Sequence, residues 1–119
     1  MSDVYVVGID MLKFQKAGTS KSVQDLGARA ALLALQDAGL KIQQMEALYC
    51  GNLYQANAMV GQRILQQIGQ TGIPVVNVAN ACATGSTAFR EAYFAVASGA
   101  YDVVMAVGSE QMGKQGLLG

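Results

Sequence analysis

The sequence contains no histidine, no tryptophan, a single proline and only two cysteines among 119 residues. Without histidine there is no imidazole to ligate a metal or to act as a general base within the chain. The two thiols, Cys50 and Cys82, lie far apart and form no CxxC pair. A structural zinc site needs about four ligands, so no metal is expected. Counting alone leaves a disulfide between them open. The opening residues Met1-Ser2-Asp3-Val4 carry no charged leader with an apolar core and cleavage site. Reduced thiols in a cytoplasmic protein are therefore the expectation. No apolar run approaches the roughly 18–20 residues that span a bilayer, so no membrane span is expected. Aromatic residues make up only 7%, and eight basic residues balance eight acidic ones. With neither a basic stripe nor stacking platforms, nucleic acid is not an expected partner. No GxGxxG or GxxxxGK[ST] loop is present, which leaves a nucleotide cofactor without support. Gly108-Ser109-Glu110 is not a GxSxG elbow either.

What is present is apolar. Hydrophobic residues make up 52% and charged residues 13%, against about 25% charged in ordinary soluble domains. Apolar surface that meets another subunit or a further part of the polypeptide would explain the excess. A surplus of small residues in buried helices would give the same numbers. The length suits one domain, so residues 1–119 are read as one unit. The glycine-rich stretch 113–119 reads as a loop leading onward.

Strands and helices alternate. Val4 to Ile9 is a short apolar run rich in β-branched residues and predicts a first strand. Ser22 offers an N-cap, with Asp25 three residues on. Val23, Leu26, Ala30, Leu33 and Ala34 follow at helical spacing, and Gly39 suits the left-handed C-terminal position. Ala47 to Cys50 predicts a second strand. Val60, Ile64, Leu65 and Ile68 are spaced for a second helix that Gly69 can close. Pro74 opens the strand Val75-Val76-Asn77-Val78, where its missing N–H is tolerated. A third helix is predicted from Cys82 to Ser98, with Gly85, Ala88, Ala92 and Ala95 forming a small-residue face. So little charge inside it predicts burial on most sides. Val103 to Val107 predicts a fourth strand, apolar enough for the middle of a covered sheet. The pattern βαβαβαβ implies an α/β fold, a mainly parallel sheet covered by helices.

One segment stands out for chemistry: a buried strand ends at Asn77-Val78, and a small-residue helix opens at Cys82. Backbone N–H groups at a helix N-terminus lack intrahelical partners. With the helix dipole they favour a thiolate over a thiol whose free pKa is about 8.5. The same groups can hold the oxyanion of a tetrahedral acyl-transfer intermediate. Gly85 and its small neighbours would let a substrate, or a second backbone, come close. A cysteine can also simply fill space, since it is among the most buried residue types. On these grounds alone the two readings of Cys82 stand level, while Cys50, without such a setting, reads as a core residue. Thr84 and Ser86 are read as caps before substrate contacts. Glu110 can orient a loop by hydrogen bonding or be simply solvated, and the structural reading is favoured. The scattered methionines are read as gap-fillers.

The segment Pro74-Val75-Val76-Asn77-Val78-Ala79-Asn80-Ala81-Cys82-Ala83-Thr84-Gly85-Ser86 closely resembles the nucleophile segment of the sterol-carrier-protein-type thiolases. Residues 98–112, Ser98-Gly99-Ala100-Tyr101-Asp102 onward to Gly108-Ser109-Glu110-Gln111-Met112, resemble the strand and turn that follow it there. The opening Val4 to Phe14 and the helix ending at Gly39 also fit. The resemblance implies that this chain is most of the first of two similar halves in a five-layered αβαβα sandwich. It implies that Cys82 takes an acyl group from an acyl-CoA or 3-ketoacyl-CoA, with its backbone N–H contributing to an oxyanion hole. Coenzyme A thioesters are then substrates, and no permanently bound cofactor is expected.

The resemblance also places an activating histidine and a second cysteine in the other half, which these residues do not include. Residues 1–119 by themselves are therefore expected not to turn over. It implies a homodimer or hetero-oligomer, with Val75 to Ala79 near the contact and Asn77 and Asn80 at the site wall. Two other functions fit the same resemblance. One is a retro-aldolase that cuts side chains from steroid-like CoA esters with a partner subunit. The other is a non-catalytic thiolase-fold subunit.

Overall fold

The computed structural model describes residues 2–15 and 22–112. Three helices, α1 (Val23–Ala38), α2 (Val60–Ile68) and α3 (Thr84–Ala97), alternate with three strands, β1 (Leu48–Gly51), β2 (Val75–Val78) and β3 (Met105–Gly108). All strand pairs are parallel, and the order is β2-β1-β3. The chain moves from β1 to β2 through α2, then back across β1 to β3 through α3. Right-handed crossovers in opposite directions must lie on opposite faces. Alternation along β1 shows this directly. A Cβ added at Gly61 of α2 would come within 2.9 Å of the Cys50 Cβ, and one added at Gly51 within 2.9 Å of the Thr84 carbonyl oxygen. Cys50 therefore faces α2, and Gly51 faces α3.

The main core lies on the α1–α2 side, where Leu48, Cys50, Val60 and Ile64 are fully enclosed. The termini of α1 follow the local signals. Ser22 and Asp25 form a reciprocal capping box, and Gly39 takes φ 70° while its N–H bonds back into the last turn. The buried face of α1 is rotated from the expected stripe. Val23 is buried as expected, but Gly27, Ala28, Ala31 and Leu35 join it, while Leu26 and Ala30 are only half-buried. Close approach is the reason: a Cβ at Gly27 would sit 2.3 Å from the Ile64 Cδ1. The smallest residues, not the most apolar ones, mark where α2 packs.

Further expectations are corrected. Val4 to Ile9 forms no strand; the segment is irregular, and Tyr5, Val6, Val7 and Ile9 are exposed. It is tied by the Ser2 N–H to the Ala97 carbonyl (3.1 Å) and by the Ile9 N–H to Asp37 Oδ2 (2.9 Å), so its main chain has helix ends as partners and no ladder. The strand expected in the middle of the sheet, β3, is an edge among the described residues, and β1 is central. Helix α3 is not buried on most sides. Its small face, Ala88, Ala92 and Ala97, packs on the sheet, while Phe89, Tyr93 and Phe94 are exposed. The expected loop at 113–119 lies outside the described residues.

Candidate active site

The turn between β2 and α3 is built to hold one residue outward. Ala81 adopts φ 46°, a left-handed conformation costly for any side chain beyond glycine. Two successive turns enforce it: the Ala83 N–H reaches the Asn80 carbonyl (2.9 Å), and the Thr84 N–H reaches the Ala81 carbonyl (3.2 Å). The buried Thr84 hydroxyl accepts from the Asn80 N–H (2.8 Å) and donates to the Ala81 carbonyl (2.7 Å). One turn on, the Thr87 hydroxyl accepts from Asn80 Nδ2 (3.1 Å) and donates to the Ala83 carbonyl (2.8 Å). Cys82 sits at the apex, exposed and free of any disulfide.

The helix does not open at Cys82, as its spacing suggested. It begins at Thr84 with Ala83 as N-cap, because Thr84 bonds backward into the turn and not forward as a cap. Cys82 thus precedes the first turn, whose Gly85 and Ser86 N–H groups helix geometry leaves without intrahelical acceptors. A Cβ at Gly85 would meet nothing within 4 Å. That glycine leaves open ground beside the thiol. Gly51 has the opposite role, since its missing side chain lets Thr84 rest on the end of β1.

Cys82 and Gly85 line a cavity of about 900 Å³ at the carboxyl ends of the strands, together with Gly51, Gly108 and the segments that follow each of them. Ligand sites in open parallel sheets form at this edge. Leu26 and Ala30 of α1, half-buried, also face it. Cys50 is one pleat below and plays no part. It is fully buried, and burial, with the nearby Glu110 charge second, pushes its thiol up to about 12. The reading of Cys50 as core holds, and the disulfide left open by counting does not form.

Glu110 is the loop-orienting group the sequence suggested. Its carboxylate accepts from the Leu53 N–H (2.9 Å) and the Tyr54 N–H (3.0 Å). Asn52, which the sequence reading missed, is almost fully buried beside it. Its Nδ2 reaches the Ser109 carbonyl (2.7 Å), Gln55 Oε1 (3.0 Å) and Glu110 Oε1 (3.1 Å). The only local clue was a polar residue directly after a strand-ending glycine. Asn77 lies away from the thiol and holds α2: its Oδ1 accepts from the Gly61 N–H (2.8 Å) and its Nδ2 donates to Gln62 (2.7 Å). Asn80 braces the Cys82 turn. Among the described residues, no cluster of three or more His, Cys, Asp or Glu could hold a metal, and no helix is long and apolar enough to cross a membrane.

Residues 4–118 match the family profile described as thiolase, N-terminal domain. Over 116 residues the chain is 42% identical to the sterol carrier protein 2 of Gallus gallus, covering 96% of this chain and 21% of that protein. It is 37% identical over 116 residues to the acetyl-CoA acetyltransferase of Methanothermobacter thermautotrophicus, covering 94% and 30% respectively. It is 38% identical over 111 residues to the non-specific lipid-transfer protein-like 2 of Caenorhabditis elegans, covering 92% and 27%. The chain thus spans between about a fifth and a third of the length of these relatives. Among solved structures, it superposes on the 3-oxoacyl-[acyl-carrier-protein] synthase III of Aquifex aeolicus with a TM-score of 0.71 at 16% identity, over 81% of this chain and 32% of that one. On the priming β-ketosynthase of the R1128 polyketide pathway the TM-score is 0.75 at 22% identity, over 87% and 32%. These two likenesses speak for the fold. With the profile running through the braced turn at Cys82 and over nearly the whole sequence, the chain belongs to the thiolase family and corresponds to its N-terminal domain.

Proposed function

We propose that the intact protein is a coenzyme A thioester acyltransferase of thiolase type, and that Cys82 is its acyl acceptor. The observation that carries this reading is the accessible thiol at the apex of a braced turn, facing a cavity at the carboxyl edge of the sheet. The Cys82 sulfur attacks the thioester carbonyl carbon. A carbon–sulfur bond to Cys82 forms as the bond to coenzyme A breaks, and the proton lost by Cys82 ends on the departing thiol. With a 3-ketoacyl-CoA the attack falls on the keto carbon. The carbon–carbon bond beside it then breaks, and the carbanion is protonated to acetyl-CoA. The Cys82 and first-turn N–H groups stabilise the oxyanion. No histidine is available here to move the proton, so that base comes from outside residues 1–119. Coenzyme A enters as part of the substrate.

The same reading puts the protein in a homodimer or hetero-oligomer. Support comes from β2, an edge strand among the described residues with Val76 exposed on it.

The test is to incubate the intact protein with acetyl-CoA or acetoacetyl-CoA and digest it after quenching. The expected result is one acetyl group on the peptide that holds Cys82, removable by hydroxylamine and absent in Cys82→Ser. A protein that stays unmodified, yet loses assembly on Cys82→Ala, would instead be the non-catalytic subunit.

A further inference from the structure

The main-chain ladder between β1 and β3 ends at the pair Gly51 and Gly108, with the Ser109 N–H still reaching the Gly51 carbonyl at 3.1 Å. Beyond that point residues 52–55 turn away toward a short 3-10 turn, Ala56–Ala58, and backbone pairing cannot continue. Side chains take over. The Glu110 carboxylate receives two successive N–H groups that have no backbone partner once the ladder has ended. Gln55 repeats the device one residue on, donating through Nε2 to the Gln111 carbonyl (2.7 Å), while its own N–H is held by Asn52 Oδ1 (2.8 Å). Residues 109–111 are therefore fastened to residues 52–55 at every step. Leu53 and Tyr54, carried on the first of these segments, and Met112, directly after the second, line the same cavity as Cys82.

We propose that Glu110 is a positioning residue, which fixes the Leu53–Tyr54 wall of the Cys82 cavity and thereby sets which apolar acyl groups the thiol accepts. This rests on the acyl-transfer reading above. A carboxylate is the group the geometry requires: two oxygens accept from two N–H donors, and bonds to a charged acceptor are the stronger kind. Glutamine keeps the length but turns one acceptor into a donor facing an N–H. Aspartate keeps both acceptors but is one methylene short. The glutamine variant therefore frees the wall more than the aspartate variant does.

The experiment measures the rate of Cys82 acylation in the intact protein with a straight-chain series from acetyl-CoA to octanoyl-CoA. Wild type, Glu110→Gln, Glu110→Asp and Tyr54→Ala are compared, with the circular dichroism spectrum as the check on a folded chain. The expected result is that Glu110→Gln flattens the ratio between the best and worst acyl groups by about tenfold. That lies within the roughly hundredfold that a ~1 Å misplacement can cost. Glu110→Asp restores part of the ratio, and Tyr54→Ala shifts the preference toward longer chains with the Glu110 bonds intact. A merely stabilising role for Glu110 would lower the melting temperature and leave the ratio unchanged, and that result overturns the proposal. Should wild type accept no acyl group on Cys82 from any thioester, the acyl-transfer reading and this one fall together.

Discussion

The two cysteines have opposite fates: Cys50 is buried and Cys82 is exposed. Cys50 is enclosed between α2 and the sheet, and burial pushes its thiol up to about 12. In the unfolded chain the same thiol returns to its ordinary value, about 8.5. Above about pH 9 the unfolded chain therefore releases a proton that the folded chain keeps, and stability falls as pH rises. In that window this one group costs on the order of 1 kcal/mol per pH unit. Tyr49, raised first by burial and then by the Tyr101 and Glu91 charges, acts in the same direction. Urea unfolding at a series of pH values from neutral to strongly alkaline is expected to show stability constant to about pH 9 and declining beyond. Cys50→Ala should be less stable at neutral pH, from the cavity it leaves, but should decline less steeply. Equal slopes for the two proteins would mean that Cys50 does not control the alkaline limb.

At the scale of elements, the Cys82 turn depends on the Thr84 hydroxyl, which both accepts from Asn80 and donates to Ala81. Thr84→Val keeps the shape and removes both bonds. It leaves the Asn80 N–H without its acceptor, at an expected cost of about 1–3 kcal/mol. Thr84→Ser should recover most of that loss, as read by urea midpoints. A valine variant as stable as wild type would show the turn to be held by packing alone. The sequence made much of this region legible. The strand Val75–Val78 has the expected bounds, and Ser22, Asp25 and Gly39 cap α1 as local chemistry requires. These signals are short-range, carried by residues a few positions apart. The start of α3 was misplaced by two residues because its small, apolar run reads as helix from Cys82 onward. What settles it is the direction of the Thr84 hydroxyl, which bonds back to Ala81 and not forward as a cap, and spacing does not reveal that. The Asn52–Glu110 clamp was half legible for a different reason: Glu110 could be read as an orienting group, but its partner lies 58 positions away.

For the molecule as a whole, the apolar composition allowed two explanations, small residues in buried helices or bulky residues on a bare surface. The structure contains both, and α3 shows them on one helix. Ala88, Ala92 and Ala97 are buried against the sheet, yet Phe89, at 54% exposure, and Tyr93 and Phe94 point away from it. On that outer face the Tyr93 and Phe94 rings meet edge-on at 5.3 Å, and the Arg90 guanidinium lies 4.8 Å from the Phe94 centroid. The aromatic group is thus organised but uncovered. The failed strand at Val4 to Ile9 belongs to the same account: its side chains are apolar enough for a sheet, but no ladder partner lies beside it among the described residues. Contiguous apolar surface of this kind is unusual on a free-standing domain. The isolated 119-residue chain is therefore expected to bind the dye ANS in its native state and raise its fluorescence. Replacing Phe89 and Phe94 with serine should lower that signal strongly. Stability should change little, since substitutions at exposed positions usually stay within about 0.5 kcal/mol. If the double variant instead unfolded and bound more dye, the aromatic face would be part of the core of the chain and not a surface left to be covered.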